Sequence, residues 1–394
     1  MSGNKFRISG TGCALVDYLY QPVCFTDEIF KLYASRQSGD GGLSPGKLVF
    51  KDEFEKFSRV DYLKAREHIT QGKPPITVNI GGPSIVSLIH AAQMLVDEPA
   101  EVYFYGSKGR DAGATFIDEQ LQKTPLKTGK YKEVAQYTPF TDVLSDPDYD
   151  NQHGERIFIN NIGAAWELYP EDLDDAFFDS NIVVFGGTAL APNIHQSLLE
   201  LLKQAKEKKA VTIVNTVYDF LNEKNNPEKP WQLGRSVETY DYIDILIADM
   251  EEALRLSGKQ TIDEAMEFFK KTGVGAVIVT HGANPVHYFS RGNMFIAANG
   301  EKPVSEKVKN TPERAGDTTG CGDNFVGGVI ASLAEQMIEK PYQPVNLEEA
   351  IVLGIVSGGY ACFYHGGTFY EDYRGQKKEL MQPYMQDYLR QTDI

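Results

Sequence analysis

The stretch Asp317-Thr318-Thr319-Gly320-Cys321-Gly322-Asp323-Asn324-Phe325 joins a glycine-rich turn to a carboxylate at the start of an apolar run. Phe325, Val329, Ile330 and Leu333 recur at helical spacing, and Gly327, Gly328 and Ala331 permit close packing of that helix. Backbone N–H groups at a helix start have no partner within the helix and carry partial positive charge, which suits an oxyanion or a phosphoryl group in transit. A carboxylate placed there, Asp323, can take the proton of an attacking hydroxyl, as phosphoryl transfer to an alcohol demands. The candidate catalytic groups are therefore Asp323 and the amides of Gly320, Cys321, Gly322 and Asp323. A bare G-x-G-D string, by contrast, is more often a helix start with packing glycines and a dipole-stabilising acid.

The elements that must position this turn follow from the hydropathy pattern. Residues 5–19 read as a strand with a small-residue turn at Gly10-Thr11-Gly12 and Asp17 near its far end. Residues 27–75 are polar, and 52–69 within them read as an exposed amphipathic helix around Phe54, Phe57, Leu63 and Ile69, so the region is taken as an insertion. Val78-Asn79-Ile80-Gly81-Gly82-Pro83 leads into a helix over 84–95, 101–105 is a short buried strand, and 106–121 a turn and helix. Strands near 135–145 and 155–160 form a hairpin. From 181 onward short apolar strands (182–185, 211–214, 243–248, 276–280) alternate with helices (192–209, 261–272), which implies a parallel sheet covered on both faces. Ligands of such sheets bind at the carboxyl ends of the strands, where Asn215, Asp249, Thr280 and Gly282 fall.

A chain of 394 residues can bury a large core, as one α/β domain with an accessory part or as two domains. Its 42% hydrophobic and 24% charged residues are those of a soluble globular protein. A formal charge of -16 argues against nucleic acid and anionic membranes as partners, while leaving room for a local basic pocket around ATP. Cys13, Cys24, Cys321 and Cys362 are scattered and form neither a C-x-x-C pair nor a zinc spacing, as in a reducing cytoplasm. Cys321 reads as a reactive thiol or, better, as a small residue filling the turn. No apolar run follows the first basic residue as in a signal peptide, and none approaches the roughly 20 residues of a membrane span.

The nine-residue string resembles the C-terminal signature of the ribokinase-like (PfkB) carbohydrate kinases, whose usual form is D-T-x-G-A-G-D-x-F. The likeness extends in the family's order from about residue 5 to 370, apart from much of 27–75. Asp17 matches the aspartate that binds sugar hydroxyls in the family, and Gly81-Gly82 its di-glycine, where backbone approaches the sugar. The run 82–95 is most similar to the adenosine-kinase branch, but Val86 stands where the family usually has an Asn that contacts the sugar. Gly106-Ser107-Lys108-Gly109-Arg110-Asp111-Ala112-Gly113 resembles a mainly structural turn of the family. Asp249-Met250-Glu251-Glu252 sits at the family's N-x-x-E, whose Glu organises Mg²⁺ and its waters; Glu252 suits that role, and Asp249 replaces the Asn. Asn215, Thr280 and Gly282 match nucleotide contacts, as do Gly320 and Gly322, whereas His281 lies where the family varies. Residues 348–360 resemble the helix bordering the adenine, Gly366-Gly367 the last glycine turn, and Asp317 and Thr319 the place of a monovalent cation such as K⁺.

The resemblance implies a ribokinase-like doubly wound α/β/α sandwich with a small β-sheet lid. Residues 5–12, 78–134 and 163–394 would form the nucleotide-binding core, and 13–50 and 135–162 the lid. It implies a cytoplasmic kinase that uses ATP and Mg²⁺ to phosphorylate a hydroxyl of a sugar or sugar-like small molecule, with a homodimer through the lid. A nucleoside kinase is the alternative. A silent sugar- or nucleotide-binding relative is the second, given Val86 and Asp249.

Overall fold

The computed structural model describes residues 5–37, 39–152, 154–311 and 318–392. Its strands, in chain order, begin with β1 (Phe6–Gly12), β2 (Leu15–Tyr20), β3 (Leu48–Phe50), β4 (Thr77–Gly81) and β5 (Ala100–Lys108). β6 (Lys127–Glu133), β7 (Phe140–Asp146), β8 (Glu155–Asn161), β9 (Ile182–Gly186) and β10 (Val211–Asn215) follow. The last four are β11 (Ile245–Asp249), β12 (Ala276–His281), β13 (Asn284–Ser290) and β14 (Ala298–Lys302).

The larger sheet has nine strands in the order β14-β13-β12-β11-β10-β9-β1-β5-β6. Neighbours pair parallel from β12 to β6, and β13 alone is reversed, pairing antiparallel with both β12 and β14. Every residue of β9 and β10 is buried, which is why these strands read as unbroken apolar runs. Alternation of side chains divides them between two cores. Ile182, Val184 and Ile213 face the helices Pro83–Met94, Cys321–Glu339 and Leu347–Tyr360. Val183, Phe185 and Val214 face Leu198–Glu207, Met250–Ser257 and Ile262–Lys271. This is the expected doubly wound sandwich. Among the described residues no helix is long and apolar enough to cross a membrane.

The smaller sheet has five strands in the order β3-β8-β7-β2-β4. The segment 5–19, read as a single strand, is two: β1 belongs to the larger sheet and β2 to the smaller, joined through Cys13 and Ala14. Residues 78–81, assigned to the core, lie in β4 and pair with β2, because Gly81 opposes Leu15 and Asn79 opposes Asp17. β7 and β8 pair antiparallel. Asp111 ties the sheets together, since its carboxylate caps Ala112–Leu121 through the amide of Ala114 (2.9 Å) and accepts from the amide (2.8 Å) and hydroxyl (2.6 Å) of Thr138.

The expectation of one exposed helix over 52–69 is corrected. Arg59 ends Lys51–Ser58 with φ 57°, and Asp61 caps a second helix, Tyr62–Ile69. Phe54, Tyr62, Ala65 and Ile69 are buried with Tyr20, Leu144 and Ile157 of the smaller sheet. Tyr62 stacks on Phe140 at 6.1 Å, and its hydroxyl reaches the buried Asp142 (2.6 Å), which also takes Arg66 Nη1 at 3.2 Å. The pattern misled because an aromatic patch that covers a sheet has the same periodicity as one that fronts solvent.

Candidate active site at the carboxyl edge of the larger sheet

The helix Cys321–Glu339 starts at Gly320, whose φ of 77° an L side chain rarely adopts and whose Cβ would collide with Gly367 Cα. Gly327 and Gly328 let the helix lie against Ser87 and His90 on one side and Ser357 on the other, where any Cβ would meet these atoms. The amide of Cys321 bonds Thr318 O at 3.3 Å, and the first helical bond is Asn324 N to Gly320 O at 2.9 Å. The amides of Gly322 and Asp323 thus precede the helical ladder and point along its axis. Burial raises the Asp323 carboxyl to about 6, the range in which a base near neutrality works best. Thr319 is part of the turn; Asp317 lies outside the described residues.

Asn324 and its partners were not foreseen. Its Nδ2 donates to Gly320 O and to Gly367 O, both at 2.8 Å, and its Oδ1 accepts from Lys377 Nζ (2.7 Å) and Tyr364 Oη (3.1 Å). The position after Asp323 could have drawn notice; Lys377, 53 residues on, offered no signal. Cys321 Sγ lies 3.5 Å from Cys362 Sγ, another pairing without a sequence signal.

Asp17 stands on β2, opposite Asn79 of β4 and Thr141 of β7. Gly81 lies beside its carboxylate, and Gly82, with φ 111°, opens the helix Pro83–Met94 over Cys13 and Ala14. Val86 is 1% exposed and packs on Gly367, where a Cβ would be 3.1 Å from Val86 Cγ2. Val86 is thus part of the core at this point. The nearby amide, Asn79, donates to His365 O and Thr368 O and accepts from Tyr370 Oη.

Asn215 ends β10 beside Gly186 of β9, and its buried Oδ1 has no hydrogen-bond partner among the described residues. A buried acceptor without a donor is costly, so this atom is open to a donor at the strand end. Asp249 of β11 opposes Thr280 of β12, and Gly282 follows at φ 53° with open space where a side chain would stand. Asp249 and Glu252 form a reciprocal cap: Asp249 Oδ1 accepts from Glu252 N (2.8 Å) and Glu252 Oε2 from Asp249 N (3.1 Å). Thr216, another residue that the sequence did not single out, donates its hydroxyl to Glu252 Oε2 at 2.5 Å. Burial and then the charge of Asp249 raise Glu252 to about 7, and Asp323 adds to the rise. Asp249 is also raised, by desolvation, with the amides of Glu252 and Glu251, and then His281, opposing.

A family model described as pfkB family carbohydrate kinase matches residues 60–372. The chain belongs to this family, whose members are ATP-dependent phosphotransferases. It is 26% identical to an adenosine kinase of Schizosaccharomyces pombe over 75% of this chain and 83% of the relative. It is 23% identical to a ribokinase of Staphylococcus aureus, over 73% and 83%. Among solved structures, adenosine kinase from Schistosoma mansoni in complex with 2-fluoroadenosine superposes with a TM-score of 0.68 at 17% identity, covering 92% of this chain and 97% of that one. Ribokinase from Thermotoga maritima gives 0.60 at 19%, covering 97% and 99%. The fold is thus the ribokinase-like one.

Proposed function

We propose that this chain transfers the γ-phosphoryl group of ATP to a hydroxyl of a sugar or sugar-containing small molecule. Asp17 and the backbone at Gly81 and Gly82 hold the acceptor, because a carboxylate can accept from two adjacent hydroxyls. Asp323 takes the hydroxyl proton. The amides of Gly322 and Asp323, with those of Gly320 and Cys321 beside them, stabilise charge on the group in transit. Asn215, Thr280 and Gly282 receive the nucleotide. The smaller sheet acts as a lid that excludes water from the transfer. The observation that carries this reading is the Asp323 carboxylate on the first turn of a helix, beside amides that precede its first hydrogen bond.

The residues present fit Mg²⁺. This ion needs only one or two carboxylates and takes its other oxygens from water and phosphate. Glu252 and Asp249 supply two neighbouring carboxylates, the charge of Asp323 reaches Glu252, and among the described residues no set of three His, Cys, Asp or Glu offers an all-protein cage. Bound there, Mg²⁺ would neutralise phosphate charge. A monovalent cation at Thr319 and Asp317, and a homodimer through the smaller sheet, belong to the same proposal.

A nucleoside acceptor is the second reading, favoured because adenosine kinases stand among both the relatives and the structural neighbours. The test is ATP consumption with Mg²⁺ and K⁺ over a panel of hexoses, pentoses, sugar acids, sugar phosphates and nucleosides. Turnover that needs an acceptor and vanishes in Asp323→Asn supports the kinase and names its substrate. The absence of turnover with every acceptor tells against it.

A further inference from the structure

We propose that Lys377 is a positioning residue of the transfer turn, because its buried ammonium locks the Asn324 amide and that amide grips the turn at Gly320. The inference rests on the reading of residues 320–323 as the transfer site.

Lys377 is 1% exposed and is the second residue of the helix Gln376–Gln391. Both placements are unfavourable for a cation, since burial strips its water and a helix N-terminus carries positive charge. Among the described residues its Nζ meets neutral groups: Asn324 Oδ1 at 2.7 Å, Tyr364 Oη at 3.1 Å, and the rings of Tyr364 and Phe369 with centroids at 5.2 and 5.8 Å. A residue that violates local rules in this way calls for a compensating role.

The hydrogen-bond inventory supplies one. An Asn side chain has two donors and an acceptor with two lone pairs, and here all four are used. A flipped amide would set its NH₂ against the ammonium and its oxygen against two carbonyls. Lys377 therefore fixes, together with the two carbonyls, which way the amide faces. In that orientation Nδ2 clamps Gly320 O to Gly367 O, where a Cβ on Gly320 would collide with Gly367 Cα. Holding Gly320 O fixes the peptide plane that leads into Cys321, and with it the direction of the amides that follow. The ammonium also adds positive potential behind the helix start.

The groups around Lys377 decide its titration. Tyr364 lies beside it, Glu371 accepts its backbone N–H at 2.9 Å, His90 faces it from Pro83–Met94, and Asn324 on the transfer helix is uncharged. Burial pulls the lysine down to about 7, with Glu371 opposing, while burial and then Lys377 keep His90 neutral. The ammonium is thus lost as pH rises through about 7; the amine left behind still donates to Asn324 Oδ1 but without charge assistance, so the lock loosens and turnover is expected to fall.

The test compares wild type with Lys377→Met and Asn324→Ala. A kcat loss of about 10- to 100-fold with KM for ATP held within about threefold, and an alkaline limb absent from the pH profile of Lys377→Met, would support the role. A kcat within about twofold of wild type, or an alkaline limb unchanged in Lys377→Met, would overturn it. Should Lys377→Met not fold, Asn324→Ala carries the test by its kcat with the same limits. Hydrogen exchange of peptides covering 318–326 needs no turnover: faster exchange in the soluble variant supports the clamp, and unchanged exchange overturns it. A wild type that consumes no ATP with any acceptor would count against the transfer reading, separately from that exchange result.

Discussion

The carboxylate of Asp17 occupies the space in which a side chain at Gly81 would begin: a Cβ there would lie 2.7 Å from Asp17 Cγ and closer still to Oδ2. Gly81 of β4 pairs with Leu15 of β2, two residues before Asp17, so the two residues are diagonal neighbours on the same face of the antiparallel pair. Gly81→Ala is expected to push the carboxylate aside without disturbing the nucleotide end of the site. Steady-state kinetics should then show KM for the acceptor raised about tenfold or more and KM for ATP nearly constant. An unchanged acceptor KM would remove Asp17 from that role.

Asp323→Asn keeps the shape of the helix start but deletes the base. A loss in kcat of roughly 10²–10⁴-fold is expected, with ATP affinity by calorimetry preserved. Because the carboxyl sits at about 6, wild-type kcat is expected to decline as pH falls through that value. A full rate in the variant would refute the assignment.

Glu252 links the site to stability. Its carboxyl titrates at about 7 in the folded chain against an ordinary 4.5, so between these values the folded state holds more protons than the unfolded one. The stability this group contributes is present below about pH 4.5 and is lost as pH rises through about 7. Glu252→Gln retains an acceptor for Thr216 and cannot ionise. Its Tm is expected to exceed that of wild type at pH 8, by the equivalent of up to about 3 kcal/mol, and to match it near pH 4.5. Mg²⁺-dependent turnover should drop in the same variant. A Tm difference independent of pH would contradict this account.

The helices of the insertion are expected to matter for folding. Arg66→Met strands the fully buried Asp142 with Tyr62 as its remaining donor. Removing one partner of a buried pair costs about 3–5 kcal/mol, readable as a lower urea midpoint. A change below about 1 kcal/mol would show that the pair is dispensable.

The sequence by itself determined the sheet-forming runs, the glycine turn at 320–322 with Asp323 behind it, and the family. These features are local: apolar strands buried on both faces, a helix start rich in glycine, a carboxylate at fixed spacing. The candidate residues Asn215, Asp249 and Thr280 could be placed at strand ends because the alternation of strands and helices dictates which ends gather.

The tertiary structure alone decided what depends on partners distant in sequence. The break of 5–19 between two sheets, the seat of β4 beside β2, and the burial of Phe54 and Tyr62 under the smaller sheet all follow from which surface each segment meets. That Val86, which stands in the place of a sugar-contacting Asn, packs against Gly367 is likewise legible only in the fold. Lys377 carries no signal in the sequence. Its partner Asn324 lies 53 positions away, and no periodicity records that a lysine will be buried rather than solvated. That outcome is set by the packing of three helices, where the cost of one buried charge is offset by an amide that has a single way to face.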